Sequence, residues 1–234
     1  MDGRSLDSAV GSLKEFALLV SSLADARQQM VDSQLRARGI HDERVLSAMA
    51  RIPRHEFVAE PYRDAAYNDS PLPIGHGQTI SQPYIVALML EALELQPDHV
   101  VLEIGTGSGY VTALLAELAA RVYSIERHPV LAHAARLVLA RFGYNNVVLL
   151  VGDGSAGLPG LAPFDAIIVS AAAPELPRAL FEQLKEGGRL LVPVGPADCQ
   201  NLELVQKREG KPAVTNLTGC RFVPLIGEEG YWPE

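Results

Sequence analysis

Apolar residues in the first fifty positions recur at the spacing of one helix face. Between Leu13 and Leu23 they fall at positions i, i+3, i+4, i+7 and i+10, a pattern typical of an amphipathic helix. A second helix is predicted over residues 26–37, ending at Gly39 because glycine readily adopts the left-handed conformation that closes helices. Asp42 is a predicted N-cap for a third helix that ends before Pro53.

From residue 99 onward, short apolar segments alternate with helical ones. The predicted strands are residues 99–104, 121–125, 147–151, 166–170 and 189–194. The predicted helices between them are residues 108–120, 129–142 and 175–185. Strands that are apolar on both faces and alternate with helices indicate a parallel, doubly wound α/β sheet with helices on both faces. Residues 202–207 and 214–223 follow without a helix between them, so we expect an antiparallel pair at one edge.

The chain between the two patterns is rich in proline and glycine. Residues 53–77 contain four prolines and two glycines, and a long loop of this kind in a compact domain is more often a functional surface than a linker. With 234 residues, the chain is long enough for one domain of ordinary size. We expect an N-terminal helical extension over residues 1–25 and a single domain over residues 26–234, in which residues 26–80 form a helical and loop cap and residues 81–234 the α/β core with its C-terminal strands.

Charge and composition narrow the class of protein. The 28 acidic and 20 basic side chains give a net charge of −8, which argues against binding to nucleic acid by phosphate neutralisation. Two cysteines are too few for a disulfide framework, and no apolar run approaches the 18 residues of a membrane-spanning helix. Together these features predict a cytoplasmic protein with no membrane or nucleic-acid partner. We also expect a monomer without a metal site, although the composition does not determine the oligomeric state.

A glycine-rich loop is the clearest local motif. Gly105, Gly107 and Gly109 follow the buried strand 99–104 and open a predicted helix. Glycines allow a tight turn and let a ligand approach the peptide groups, while a helix N-terminus offers unpaired amides. The spacing differs from the Gly-x-Gly-x-x-Gly fingerprint of dinucleotide-binding proteins. A plain turn between strand and helix is the structural alternative.

Two acidic residues at later strand ends extend the motif towards a nucleoside site. Glu126 ends the next strand, 21 residues after Gly105, where a carboxylate can accept hydrogen bonds from both ribose hydroxyls. Asp153 lies in a Gly-Asp-Gly turn after the third strand and is a candidate acceptor for an exocyclic amine. Glu126 as a solvated loop carboxylate and Asp153 as an ordinary turn residue are the alternatives.

Four further segments give the chain a family resemblance. They are Gln78-Thr79-Ile80-Ser81-Gln82-Pro83, residues 164–172, residues 187–195 and Arg221-Phe222-Val223-Pro224-Leu225. Together with the glycine loop, they resemble the protein-L-isoaspartate (D-aspartate) O-methyltransferases, which belong to the class I methyltransferases that use S-adenosylmethionine. The resemblance covers residues 28–225, and the Thr-Ile-Ser stretch is its most specific part. It implies a Rossmann-like methyltransferase fold.

The resemblance also implies an activity and a set of site residues. The enzyme would methylate the misplaced carboxylate of L-isoaspartyl, or the carboxylate of D-aspartyl, residues in damaged proteins, so that the ester cyclises to a succinimide and repair begins. Thr79 and Ser81 are the implied catalytic residues. The implied S-adenosylmethionine site comprises Gln78, Thr79, Ile80, Ser81, Glu103, Gly105, Thr106, Gly107, Ser108, Glu126, Arg127, Asp153 and Gly154. The implied substrate-binding residues are Ile74, Arg221, Phe222 and Val223.

The chemistry of carboxylate methylation agrees with these implied site residues. A carboxylate is already ionised at neutral pH, so the transfer needs no general base and depends on positioning. Thr79 and Ser81 are two residues apart, and in an extended segment their hydroxyls lie on one side, opposite Ile80. Ser81 is alternatively an N-cap for the apolar helix that follows. The run from Arg221 to Pro224 either pairs with a bound peptide or is an edge strand ended by proline.

Three other functions remain open from the sequence alone. The first is an S-adenosylmethionine-dependent methyltransferase with a small-molecule or RNA acceptor, which the acidic charge and the pair Thr79 and Ser81 disfavour. The second is a nicotinamide-dependent dehydrogenase, which the glycine spacing disfavours. The third is a non-catalytic module that retains the cofactor pocket, against which the intact segment 78–83 argues.

Overall fold

A computed structural model describes residues 22–231 of the chain. Residues 22–29 are helical and continue through a π-helical turn, Met30–Leu35, and a 3₁₀ turn, Arg36–Arg38. Gly39 closes this helical stretch with a φ of 93°, which confirms the predicted left-handed end. Helix α1 (Glu43–Arg51) begins as predicted, because the Asp42 carboxylate accepts from the amides at its start. All but the last two residues of the predicted helix 13–23 lie outside the described residues.

The proline-rich segment contains more regular structure than the sequence predicted. Two 3₁₀ turns, Arg54–Phe57 and Glu60–Ala65, are followed by a hairpin of strands β1 (Leu72–Gly75) and β2 (Gln78–Ile80). The strands pair antiparallel with an irregularity near Gly75. Such short elements between prolines are difficult to predict from sequence, because each contains too few residues to show a hydrophobic period.

Seven further strands form one sheet. They are β3 (Val100–Ile104), β4 (Arg121–Glu126), β5 (Val147–Val151), β6 (Phe164–Val169), β7 (Leu184–Val194), β8 (Gln200–Arg208) and β9 (Lys211–Cys220). Their order across the sheet is β5-β4-β3-β6-β7-β8-β9. The pairs from β5 to β7 are parallel, and those of β8 with β7 and β9 are antiparallel. This confirms the predicted doubly wound sheet with an antiparallel edge.

Helices cover both faces of the sheet. They are α2 (Pro83–Leu93), α3 (Tyr110–Leu118), α4 (Pro129–Arg141) and the short α5 (Arg178–Glu182). Along β3 and β6, successive residues alternate between two cores: Val101 and Ile168 belong to one, and Leu102 and Ile167 to the other. Each central strand is thus buried on both sides, as its continuous apolar sequence requires.

The bounds of three elements differ clearly from the prediction, and one of them is β7, which was expected at residues 189–194 but extends over Leu184–Val194. The expected helix 175–185 is reduced to five residues, because Pro177 precedes it and β7 already begins at Leu184. The expected last strand, 214–223, ends at Cys220, because the chain then leaves β8 to run beside Ala172. Between residues 22 and 231, no helix combines the length and apolarity needed to span a bilayer.

The topology fixes where a ligand site is expected. The chain builds β3, β4 and β5 towards one edge and then returns to place β6 on the other side of β3. In open α/β sheets, ligands bind at the carboxyl ends of the strands, at the point where the winding direction reverses. That point lies between β3 and β6 in this sheet.

Candidate active site

A cavity of about 350 Å³ opens at the carboxyl ends of β3, β4 and β6. Its volume is in the range of pockets for small molecules and cofactors. Most of the predicted site residues line it: Gln78, Thr79, Ile80, Ser81, Gly105, Thr106, Gly107, Ser108, Glu126, Arg127, Gly154, Arg221, Phe222 and Val223. Glu103, Asp153 and Ile74 were also predicted for the site but are not part of this lining.

The glycine loop presents main chain to the cavity. Gly107 has a φ of 54°, and a Cβ placed there would lie 3.2 Å from Cδ1 of Ile74 on the β1–β2 hairpin. Gly109 has a φ of 88° and is the N-cap of α3. Both conformations are unfavourable for residues with a side chain. The side chain of Ile74 therefore lies close to the loop, although Ile74 does not line the cavity itself.

Glu126 anchors the glycine loop to the end of β4. Its side chain is buried, and its Oε2 accepts from the amide of Gly107 at 2.8 Å. Its Oε1 accepts from the amide of His128, also at 2.8 Å. Each carboxylate oxygen retains a second acceptor position, so the group lining the cavity can still receive ligand hydroxyls. The alternative of a solvated loop carboxylate is excluded by this burial.

Glu103 lies behind the glycine loop and not in the cavity. It is fully buried, and its Oε2 accepts from the hydroxyls of Thr112 and Ser124 at 2.6 Å each. The Ser124 hydroxyl in turn contacts that of Thr106, which lines the cavity, at 2.5 Å. Burial raises the pKa of Glu103 to about 7, and its Oε1 has no hydrogen-bond partner within residues 22–231. The predicted direct contact of Glu103 with the cofactor therefore has no support in the geometry.

Thr79 and Ser81 form another part of the cavity wall. They flank Ile80, which is 4% exposed, and both line the cavity. Helix α2 has Gln82 as its N-cap, without a side-chain hydrogen bond, so the alternative of Ser81 as the N-cap is wrong. The Ser81 hydroxyl makes no hydrogen bond to another part of the described chain, and it is thus available to a ligand.

The third wall is the run that follows β9. The carbonyl of Val223 accepts from the amide of Ala172 at 2.8 Å, and the amide of Leu225 donates back to Ala172 at 2.7 Å. The run therefore does not continue β9 as an edge strand. Within the described residues, the Val223 amide and the Phe222 carbonyl have no hydrogen-bond partner. Pairing of this run with a peptide remains a prediction.

Asp153 supports a C-terminal segment rather than the cavity. Its carboxylate accepts from the amides of Ser155 at 2.8 Å and Glu228 at 3.1 Å. The hydroxyl of Ser155 accepts from the amide of Glu229, the residue after Glu228, at 3.1 Å. The predicted contact of Asp153 with an exocyclic amine is therefore not supported by this arrangement, whereas the adjacent Gly154 does line the cavity.

Tyr110 and Arg54 are among the residues near the site that the sequence analysis missed. Tyr110 lines the cavity and is buried with its hydroxyl unpartnered among the described residues. Arg54 is fully buried and donates to the main-chain carbonyl of Ser81 at 2.8 Å. Tyr110 directly follows the glycine motif, which is a usable signal, but nothing in the sequence connects Arg54 with a residue 27 positions later.

Comparison with known proteins agrees with this geometry. The family model for protein-L-isoaspartate (D-aspartate) O-methyltransferase matches residues 25–230. Among relatives, a protein-L-isoaspartate O-methyltransferase of Koribacter versatilis is 58% identical over 207 residues, which are 88% of this chain and 93% of the relative. One of Methanoculleus marisnigri is 58% identical over 208 residues, covering 89% and 94%.

Solved structures give the same result. A protein-L-isoaspartate O-methyltransferase superimposes with a TM-score of 0.78 at 31% identity, covering 87% of this chain and 66% of that one. A Plasmodium falciparum protein described by the same activity, in complex with S-adenosyl-L-homocysteine, superimposes with a TM-score of 0.76 at 28% identity, covering 86% and 98%. With the family model spanning nearly the whole described chain, this chain belongs to the protein-L-isoaspartate (D-aspartate) O-methyltransferase family.

Proposed function

We propose that the cavity binds S-adenosylmethionine beside the carboxylate of an L-isoaspartyl or D-aspartyl residue and that Thr79 and Ser81 orient this carboxylate for methylation. The observation that carries the proposal is the position of these two side chains. They line the same cavity as the glycine loop and Glu126, so the binding elements for the donor and for the acceptor meet in one cavity.

The residues of one wall fit the donor. A loop without side chains at Gly105 and Gly107 leaves room for a ligand against the main chain, and the buried Glu126 offers acceptors for ribose hydroxyls. The Plasmodium falciparum relative has S-adenosyl-L-homocysteine bound, which supports the same assignment here. When bound, S-adenosylmethionine supplies a methyl group on a positively charged sulfur. We assign the lining residues Gln78–Ser81, Gly105–Ser108, Glu126, Arg127 and Gly154 to its binding.

The segment with Thr79 and Ser81 is suited to an anionic acceptor. Thr79 and Ser81 carry hydroxyls, which donate hydrogen bonds to carboxylate oxygens. Because the acceptor is ionised at neutral pH, no residue has to remove a proton. The contribution of the protein is to hold one carboxylate oxygen in a reactive position, and correct positioning accounts for about 7–11 kcal/mol of barrier reduction in intramolecular reactions.

The run Arg221–Val223 is suited to hydrogen-bonded pairing with the main chain of the substrate. Its Val223 amide and Phe222 carbonyl point to no partner within the described chain, and an extended peptide can pair with such groups without regard to its side chains. Substrates of a repair enzyme share a lesion but no surrounding sequence. Pairing through the main chain therefore allows the enzyme to accept substrates of different sequence.

The activity determines the wider role. Methyl esters of isoaspartyl residues cyclise to succinimides, which hydrolyse in part to normal aspartyl residues, so the partners are damaged proteins and peptides. We further infer that the chain acts in the cytoplasm as a monomer, without nucleic acid, and that residues 26–234 form one domain, with residues 26–80 as the cap over the core. The net charge of −8 supports the exclusion of nucleic acid.

A pair of peptides tests the proposal. Two peptides of identical sequence, one with isoaspartate and one with aspartate, are incubated with the protein and S-adenosylmethionine labelled in the methyl group. We expect base-labile label on the isoaspartyl peptide alone. Equal labelling of both peptides, or of neither, would contradict the proposed acceptor, and labelling of small molecules alone would support the alternative methyltransferase.

A further inference from the structure

Arg54 is a buried cation without an anionic partner. Its side chain is fully buried. Nε donates to the carbonyl of Ala66 and Nη2 to the carbonyl of Ser81, both at 2.8 Å, while Nη1 has no partner among residues 22–231. In the described chain, no carboxylate oxygen lies within 4.0 Å of the guanidinium. Such a group is costly to bury, because two neutral carbonyls replace its hydration only in part.

The neighbours of Arg54 do not neutralise it. Burial lowers its pKa to about 10, so the guanidinium remains charged at neutral pH. Asp69, an acidic residue that acts on it from a distance, is already bound by Arg38, by the side chain of Gln82 and by the amide of Tyr84. Its negative charge is therefore shared with another arginine.

The guanidinium lies next to the cavity. Its Cζ is 5.0 Å from the ring centroid of Tyr110, a residue of the cavity lining. It also donates a hydrogen bond to the main-chain carbonyl of Ser81, which lines the same cavity. The buried positive charge thus stands immediately behind the wall that the acceptor carboxylate is proposed to touch.

We propose that Arg54 is a positioning residue for the acceptor. Its guanidinium fixes the Thr79–Ser81 segment through the hydrogen bond to the Ser81 carbonyl, and its unpaired charge makes the site selective for an anionic over a neutral group. The inference rests on the proposed function. In a medium of low dielectric constant, an uncompensated cation acts over several ångströms, and the substrate carboxylate is the anion that it lacks. The acceptor is then recognised by its charge as well as by the two hydroxyls.

Binding measurements with a matched pair of ligands test the inference. The ligands are an isoaspartyl peptide and the same peptide with the free carboxylate replaced by a neutral carboxamide. Dissociation constants are measured calorimetrically in the presence of S-adenosyl-L-homocysteine. Wild-type protein is expected to prefer the acid, and Arg54→Met is expected to reduce this preference about tenfold or more.

A second arginine provides the control. Arg44 also donates to two main-chain carbonyls, those of Leu95 and Leu118, but it is not part of the cavity lining. Arg44→Met therefore removes comparable bonds, and the preference for the acid should not change. An Arg54→Met protein with wild-type circular dichroism and an unchanged preference would overturn the proposed role of the charge.

Arg54→Lys tests the positioning role of Arg54 if Arg54→Met does not fold. Lysine keeps the charge but lacks the planar fork, so the preference for the acid should persist while kcat falls about tenfold through misplacement of Ser81. Wild-type kcat and KM in this variant would overturn the positioning role. If wild-type protein itself neither prefers the acid nor methylates it, the proposed function fails, independently of Arg54.

Discussion

Glu103 gives the protein a pH-dependent stability that a single substitution should remove. The carboxyl group is fully buried beneath the glycine loop, where two hydroxyls donate to Oε2 and nothing in the described chain pairs with Oε1. Glu103→Gln keeps the size and the acceptor for the two hydroxyls but cannot ionise. The variant therefore isolates the free energy of placing a negative charge at this position.

The magnitude follows from the pKa. Burial raises the pKa of Glu103 from 4.5 to about 7, so the folded protein binds the proton more tightly than the unfolded chain does. The resulting stabilisation is fully present below pH 4.5 and is lost as the pH rises through 7. At about 1.4 kcal/mol for each pH unit, the free energy of unfolding should fall by about 3 kcal/mol across this window relative to a protein without the group.

Urea unfolding at pH 5 and pH 8 measures this difference. Glu103→Gln and wild-type protein should have similar free energies of unfolding at pH 5, and the variant should be more stable by about 2–3 kcal/mol at pH 8. Glu175→Gln is the control, because Glu175 is exposed and its replacement should not alter the pH dependence. A Glu103→Gln protein that is equally stable or less stable than wild type at pH 8 would refute the reasoning.

Three further variants test individual contacts. Ser81→Ala should keep the fold but lower kcat about tenfold or more in the methyl-transfer assay; full turnover would remove Ser81 from the mechanism. Gly107→Ala should weaken binding of S-adenosyl-L-homocysteine about tenfold by calorimetry, because its positive φ and the Ile74 contact at 3.2 Å disfavour a side chain, and unchanged affinity would contradict this. Asp153→Ala should accelerate hydrogen exchange at the Glu228 amide, which loses its acceptor; unchanged exchange would show that other contacts hold the segment.

The central part of the site was predictable because its elements are consecutive. Strand β3, the glycine loop and α3 form one unbroken segment, and Glu126 follows at the end of the neighbouring strand. Parallel strands bring their carboxyl ends to one edge, so spacing along the chain translates directly into proximity. The alternation of strands and helices likewise predicted the parallel sheet, and the two final strands without a helix between them predicted its antiparallel edge.

The remaining features depend on contacts between distant residues. Asp153 binds an amide 75 positions later, and Arg54 joins the cap to Ser81; neither contact leaves a periodic signal. The predicted contact of Glu103 with the cofactor lacks geometric support for a different reason. Alternate residues of a buried strand face opposite sides, and the sequence of a strand that is apolar on both sides does not show which side faces the ligand.

The most direct test is a crystal structure with S-adenosyl-L-homocysteine and an isoaspartyl peptide bound together. The Glu126 carboxylate should lie within hydrogen-bond distance, about 3 Å, of the ribose hydroxyls, and the Ser81 hydroxyl should lie equally close to the free carboxylate of the isoaspartyl residue. A nucleoside bound away from the glycine loop, or a peptide carboxylate remote from Thr79 and Ser81, would contradict the proposed site.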